Sequence, residues 1–195
     1  MTELIVEPAT RVPWNAVEAV LGSVGAAAHC WCRWWLTTNA NYSALDDDAR
    51  RTATETEHAS GTIRGLITSR AGQPVGWVGV GPRADYARLP RTAIIAGATP
   101  VANFADPGTW SIVCFTVAPG HRRSGVARAL LGAAIEHART AGAQVIEAYP
   151  VDTAVGRAPG PGSLNTGTLA LFTGAGFVEV GRAKDSPPVV HLRLD

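Results

Sequence analysis

Apolar and polar positions alternate most regularly between Ala127 and Arg139. Ala127, Leu130, Leu131, Ala134, Ile135 and Ala138 recur at i, i+3, i+4, i+7, i+8 and i+11, and Arg128, Gly132, Glu136 and Arg139 take the other side. This spacing predicts an amphipathic helix stopped by Gly142. Before it, Trp110 to Val117 is a continuous apolar run ended by Pro119-Gly120, and after it Gln144 to Tyr149 reads as a further strand. Strand, helix and strand in this order predict a right-handed crossover between parallel strands.

The flanks add antiparallel elements. Ile63 to Ser69 and Val75 to Val80, separated by Ala71-Gly72-Gln73-Pro74, predict a hairpin. Phe177 to Val180 and Val189 to Leu194 predict two closing strands after a short helix from Thr168 to Ala175 that Gly176 ends. Pro13 opens a first helix through Val17, Val20 and Leu21, stopped by Gly22, and Asp46 to His58 is a polar, solvated helix ending at Gly61. Gly81 to Gly108, with four prolines, reads as a long irregular segment, and Gly156 to Gly162 (GRAPGPG) as a loop. The expected fold is α/β (α+β): one domain over residues 1–195, with a mixed central sheet flanked by helices.

Composition narrows the function classes. Of 195 residues, 46% are hydrophobic, enough for a sizeable core. Lys plus Arg total 17 against 16 acidic residues, so no overall field attracts nucleic acid or an anionic membrane. The three cysteines demand no disulfide framework, the start MTELIVEPATRVPW has no basic leader or apolar core, and no stretch approaches the roughly 20 apolar residues of a membrane span. A cytoplasmic protein is expected. His29, Cys30 and Cys32 are too closely spaced for tetrahedral zinc, so no metal is expected, and Cys114 reads as a small core residue.

Candidate chemistry concentrates in Thr116 to Ala127, TVAPGHRRSGVA, where a strand feeds a short loop whose glycine opens a helix. Such a junction points main-chain N–H groups at a phosphate. His121, Arg122 and Arg123 stand at the positive end of the helix dipole, where each cation costs about 0.3–1 kcal/mol. An arrangement unfavourable for folding alone suits a bound pyrophosphate.

These residues resemble the GNAT superfamily of acyl-CoA-dependent N-acyltransferases, whose motif Arg/Gln-x-x-Gly-x-Gly/Ala follows a strand ending Val-x-Pro. Here Arg122 to Ala127 follows Val117-Ala118-Pro119, and the signature Asn-x-x-Ala-x-x-Leu-Tyr-x-x-x-Gly-Phe is approached by Asn165, Thr168, Leu171, Phe172, Gly176 and Phe177. The resemblance implies that N–H groups of Arg122, Arg123, Ser124, Gly125, Val126 and Ala127 hold the pyrophosphate of acetyl-CoA. Main-chain groups of Phe115, Thr116 and Val117 would pair with its pantetheine arm, with Asn165 bonding that arm. Phe172 stands where many members have a tyrosine acid, so it would only pack beside the thioester, and the usual strand carboxylate is absent.

Glu147 and Tyr149 share one face of their strand, which makes Glu147 the expected base, direct or through water, and Tyr149 the expected acid; Asp152, Asp85 and His29 are rivals. Trp14, Trp31, Trp34 and Trp35 suit either the core or an acceptor pocket. Asp85, Tyr86, Arg88 and Arg91 suit a solvated loop or a cover over the acceptor. Trp31, Trp34 and Tyr86 are the expected acceptor contacts. The implied activity is transfer of an acetyl group to a primary amine or hydrazine-like nitrogen of a small molecule, in a protein compatible with a homodimer. Peptide or protein acetylation and a non-catalytic CoA-binding regulatory module are the alternatives.

Overall fold

A computed structural model describes residues 3–23, 25–155, 163–183 and 186–194. In chain order it contains β1 (Leu4–Pro8), α1 (Trp14–Leu21), α2 (Gly25–Cys30), α3 (Asn39–Ala44), α4 (Asp47–Ala59), β2 (Leu66–Arg70), β3 (Gln73–Pro82) and α5 (Ala93–Ala98). β4 (Thr109–Val117), α6 (Val126–Thr140), β5 (Val145–Ala148), α7 (Leu169–Thr173), β6 (Val178–Gly181) and β7 (Val189–Arg193) follow. The strands form one mixed sheet in the order β1-β2-β3-β4-β5-β7-β6, parallel only between β4 and β5.

The expected hairpin is β2–β3. Its turn places Ala71 at φ 50° and Gly72 at φ 76°, the paired positive dihedrals that match the twist of a two-residue hairpin loop. The expected crossover is β4–α6–β5. The apolar stripe of α6 buries Leu130, Leu131, Ala134 and Ala138 against one face of the sheet. Close docking there requires Gly76 on β3, where a Cβ would lie 2.6 Å from the Val126 side chain. α1, Trp31 and Trp77 fill part of the opposite face.

Two expectations need correction. The segment from Gly81 to Gly108 is not merely irregular: it forms 3-10 turns at Arg83–Asp85 and Leu89–Arg91 and then α5. It packs Tyr86, Leu89 and Ile95 over Val113, Tyr149 and Val189. Arg83 staples it down by donating from Nη2 to the carbonyls of Val101 and Asn103 at 3.0 and 2.6 Å. The N-terminus also contributes β1, an edge strand paired with β2, whose five residues are too few for alternation to stand out before pairing. The Gly156–Gly162 loop lies outside the described residues.

Candidate functional site

The turn between β4 and α6 contains three left-handed residues: Gly120 at its start, with φ 82°, and two next to the helix. Arg123 has φ 57° and Gly125, the residue before α6, has φ 86°. Alternating handedness turns successive N–H groups toward one side, and the first N–H groups of a helix have no intrahelical acceptor. A Cβ on Gly125 would meet no atom within 4 Å, so this backbone faces open space. Arg70 braces the turn from β2: it donates from Nη1 to Ser124 Oγ at 3.1 Å and from Nη2 to the Ser124 carbonyl at 2.9 Å. Ser124 Oγ in turn donates to the His121 carbonyl at 2.6 Å. Arg122 and Arg123 are exposed and form no ion pair among the described residues.

Beside the turn, the sheet splits. β5 pairs with β4 only from Thr109 to Ile112, so the later residues of β4 have no strand on that side among the described residues. The register of β4 against β3 slips between Cys114 and Ile112, leaving Val113 as a bulge where the split begins. A cleft of about 630 Å³ runs from this edge to the turn, with Phe115, Thr116, Val117, Arg122, Arg123 and Ala127 on one side. Asn165 and Leu171 close the other side. Sequence reasoning missed Ser23, Gly25 and Ala27, which also line the cleft and come from the α1–α2 junction, far away in the chain.

Phe172 does not line this cleft. It is fully buried, edge-on to Phe115 at 6.0 Å and to Phe177 at 5.0 Å, so it supports the β4 wall from behind. Val126 likewise sends its side chain into the core and can offer the cleft only main-chain atoms.

On the α1 side of the sheet, strand register sets Ser111, Glu147 and His191 in one row across β4, β5 and β7. Glu147 is 0% exposed. It accepts from Tyr149 Oη at 2.6 Å and from Thr99 Oγ1, and it pairs with His191 Nε2 at 2.7 Å and Arg83 Nη1 at 3.3 Å. Because the Tyr149 proton is committed to Glu147, Ser111 Oγ, 3.1 Å away, donates to Tyr149.

Burial alone would raise the Glu147 pKa, but hydrogen bonds from His191, Thr99 and Tyr149 and the Arg83 charge outweigh it and lower the pKa. Burial, reinforced by the Glu147 charge, pushes Tyr149 well above the ordinary tyrosine value. An enclosed carboxylate with a lowered pKa and four partners does not suit the direct-base role expected for Glu147, and Tyr149 is correspondingly a poor acid. The rival residues are also engaged: Asp85 with Arg64 at 2.6 Å, Asp152 with Arg182 at 2.9 Å, and His29 with Asp47.

The expected acceptor contacts separate. Trp31 is buried against Trp14, and Tyr86 is buried between the long segment and the sheet; both are core residues. Trp34 is 43% exposed and lines a second cavity, of about 780 Å³, together with Trp35, Arg88 and Arg91. The three cysteines are free thiols, and Cys32 Sγ accepts from Trp77 Nε1 at 3.3 Å.

Comparison with known proteins agrees with this geometry. The fold is similar to that of a putative acetyltransferase, YncA, from Salmonella typhimurium with its cofactor acetyl-CoA: 19% identity, 98% of this chain and 94% of that one covered, TM-score 0.54. It is also similar to the ribosomal-protein-alanine N-acetyltransferase of Brucella melitensis, at 20% identity over 97% and 99% of the two chains with TM-score 0.53. A third similar structure is the PaiA N-acetyltransferase of Thermoplasma acidophilum in complex with coenzyme A, at 10% identity over 98% and 99% with TM-score 0.56. No curated protein matches the sequence. The acetyltransferase (GNAT) family profile matches residues 28–157, a span that holds the split strand and the arginine turn, and the chain belongs to that family.

Proposed function

We propose that the protein transfers the acetyl group of acetyl-CoA to the nitrogen of a small-molecule amine. The observation that carries this reading is the meeting, in one cleft, of the free edge of β4 and the left-handed arginine turn. Acetyl-CoA presents a pyrophosphate at one end and an amide-bearing arm at the other. N–H groups around Gly125, with Arg122 and Arg123, suit the first, and main-chain groups of Phe115 to Val117 suit the second, as an added strand would. Asn165, which lines the same cleft, suits a hydrogen bond to the arm.

The transfer itself is chiefly a matter of positioning. The thioester lies at the bulge on β4, a main-chain N–H of that strand faces the developing oxyanion, and the unprotonated amine attacks the carbonyl carbon; the C–S bond breaks as the N–C bond forms, the thiolate leaves with the electron pair, and the nitrogen's surplus proton passes to water. A thiol with a pKa near about 8.5 leaves without a dedicated acid. Glu147 and Tyr149 act as positioning residues, since their hydrogen bonds to Ser111, His191 and Arg83 set the geometry of the strands where they part. A small acceptor suits the way the segment from Arg83 to Asn103 closes over the sheet beside the second cavity.

The test is release of free thiol from acetyl-CoA with panels of small amines and of peptides, with product masses confirmed. Small amines are expected to accelerate release. Acetylated peptides without acetylated amines would reassign the acceptor, and binding of acetyl-CoA with no acceptor at all would make the protein a CoA-binding module.

A further inference from the structure

Two arginines are buried among the described residues, and they are treated differently. Arg83 faces the carboxylate of Glu147. Arg88, 5% exposed, faces none. Its Nε donates to the Trp34 carbonyl and its Nη1 to Asn39 Oδ1, both neutral acceptors, and Nη2 has no partner. The guanidinium lies 3.7 Å from the centre of the Trp34 ring. Two less buried arginines have carboxylates, Arg33 at 2.6 Å from Glu57 and Arg64 at 2.6 Å from Asp85, whereas the half-buried Arg70 is held by Ser124. Burying a cation without a counter-charge is costly, and a protein that pairs its other enclosed arginine has left this one open.

Arg88 lines the 780 Å³ cavity with Trp34, Trp35, Thr38, Asn39 and Arg91, and no residue that lines it carries a carboxylate. Two cations, two threonine hydroxyls, an amide and two indole walls make a receptor for a small anion attached to an apolar body. The cavity and the cleft share no lining residue, and packing links them: the ring of Trp35 stacks on Tyr149 at 6.1 Å and packs in the same cluster as Val113, where β4 splits from β5.

We propose that this cavity binds a carboxylate through Arg88 and that, in the transfer reaction, the carboxylate belongs to the acceptor, which is therefore an amine of the amino-acid type. The second half rests on the acetyltransferase reading above; the first does not. Seating the acid on Arg88 would lay the remainder of the acceptor along Trp35 toward the bulge at Val113.

Two measurements test this. In the first, α- and ω-amino acids are compared with their carboxamides as acceptors, for wild type, Arg88→Gln and Asn39→Asp. The last variant supplies Arg88 with a carboxylate of its own without removing the arginine, so it is informative even where Arg88→Gln fails to fold. The acid-to-amide ratio of kcat/KM is expected to fall at least about tenfold in both variants, through KM, since a charge-assisted contact is lost. Comparing ratios between variants cancels differences in amine basicity. An unchanged ratio in Asn39→Asp, or a wild-type preference for amides, overturns the proposal.

The second measurement is calorimetric titration with benzoate and benzamide in the absence of CoA. Wild type is expected to bind benzoate in preference, and Asn39→Asp is not. If no amine is acetylated although CoA binds, the transferase reading and the acceptor half of the proposal fall, and benzoate binding still decides the anion site. If benzoate binds no better than benzamide, the site itself is refuted.

Discussion

Replacing Glu147 by glutamine keeps the shape of the side chain and removes its charge from an enclosure that also holds Arg83, with both side chains 0% exposed. Arg83 is then left buried without compensation, a change that costs about 3–5 kcal/mol when one partner of such a pair is removed. The substituted amide retains a carbonyl that can accept from Tyr149 or His191, so the expected loss sits at the lower end, about 3 kcal/mol. For a chain of this size each kcal/mol lowers Tm by about 2–4 °C, which makes the expected drop roughly 6–12 °C.

Urea unfolding followed by circular dichroism measures the same quantity as a fall in midpoint at constant slope. Arg83→Met in the Glu147→Gln background should recover part of the loss, giving a coupling energy above about 1 kcal/mol in the double-mutant cycle. The pH dependence follows from sign. The Glu147 pKa is lowered in the folded state from an ordinary value of 4.5, so its stabilisation is complete above that value and is lost as pH falls below it. The glutamine variant should therefore unfold with a weaker dependence on acid. A loss under about 1 kcal/mol, additive single-mutant effects, or an unaltered acid limb would refute the view that this buried network holds the long segment to the sheet.

Gly125→Glu should abolish CoA binding by calorimetry and leave the circular dichroism spectrum unchanged. Its Cβ meets open space, so the change costs only the left-handed backbone strain of about 1–2 kcal/mol while setting a negative charge against the diphosphate; retained affinity would contradict the cradle. Tyr149→Phe should lower kcat/KM by less than about tenfold and leave the pH profile in place. A proton-transfer role would instead cost about 100-fold or more and move a limb of the profile.

The elements that carry their own local period were legible without a structure. The stripe of α6, the apolar run of β4 and the hairpin glycine act over a few residues, and so does the conflict between Arg122, Arg123 and the helix dipole on which the proposed anion site rests. β1 escaped because an edge strand of five residues acquires meaning only when β2 lies beside it. The same limit applied to Glu147. Its place on the strand face could be read from two-residue alternation, but its partners Arg83, Thr99 and His191 stand 64, 48 and 44 positions away. Those partners enclose the carboxylate and hold its pKa below the ordinary value.

Trp31, Trp34 and Tyr86 looked equivalent as aromatic residues, and packing sent two into the core and left one on a cavity wall. The amino-acid sequence thus determined the class of fold and the strand-to-helix turn with its two arginines, because helix period, turn handedness and dipole are properties of neighbouring residues. Tertiary structure alone decided which charges are cancelled and which stay available, because the electrostatic state of Glu147 and of Arg88 depends on side chains that meet only when the sheet is assembled and the long segment closes over it.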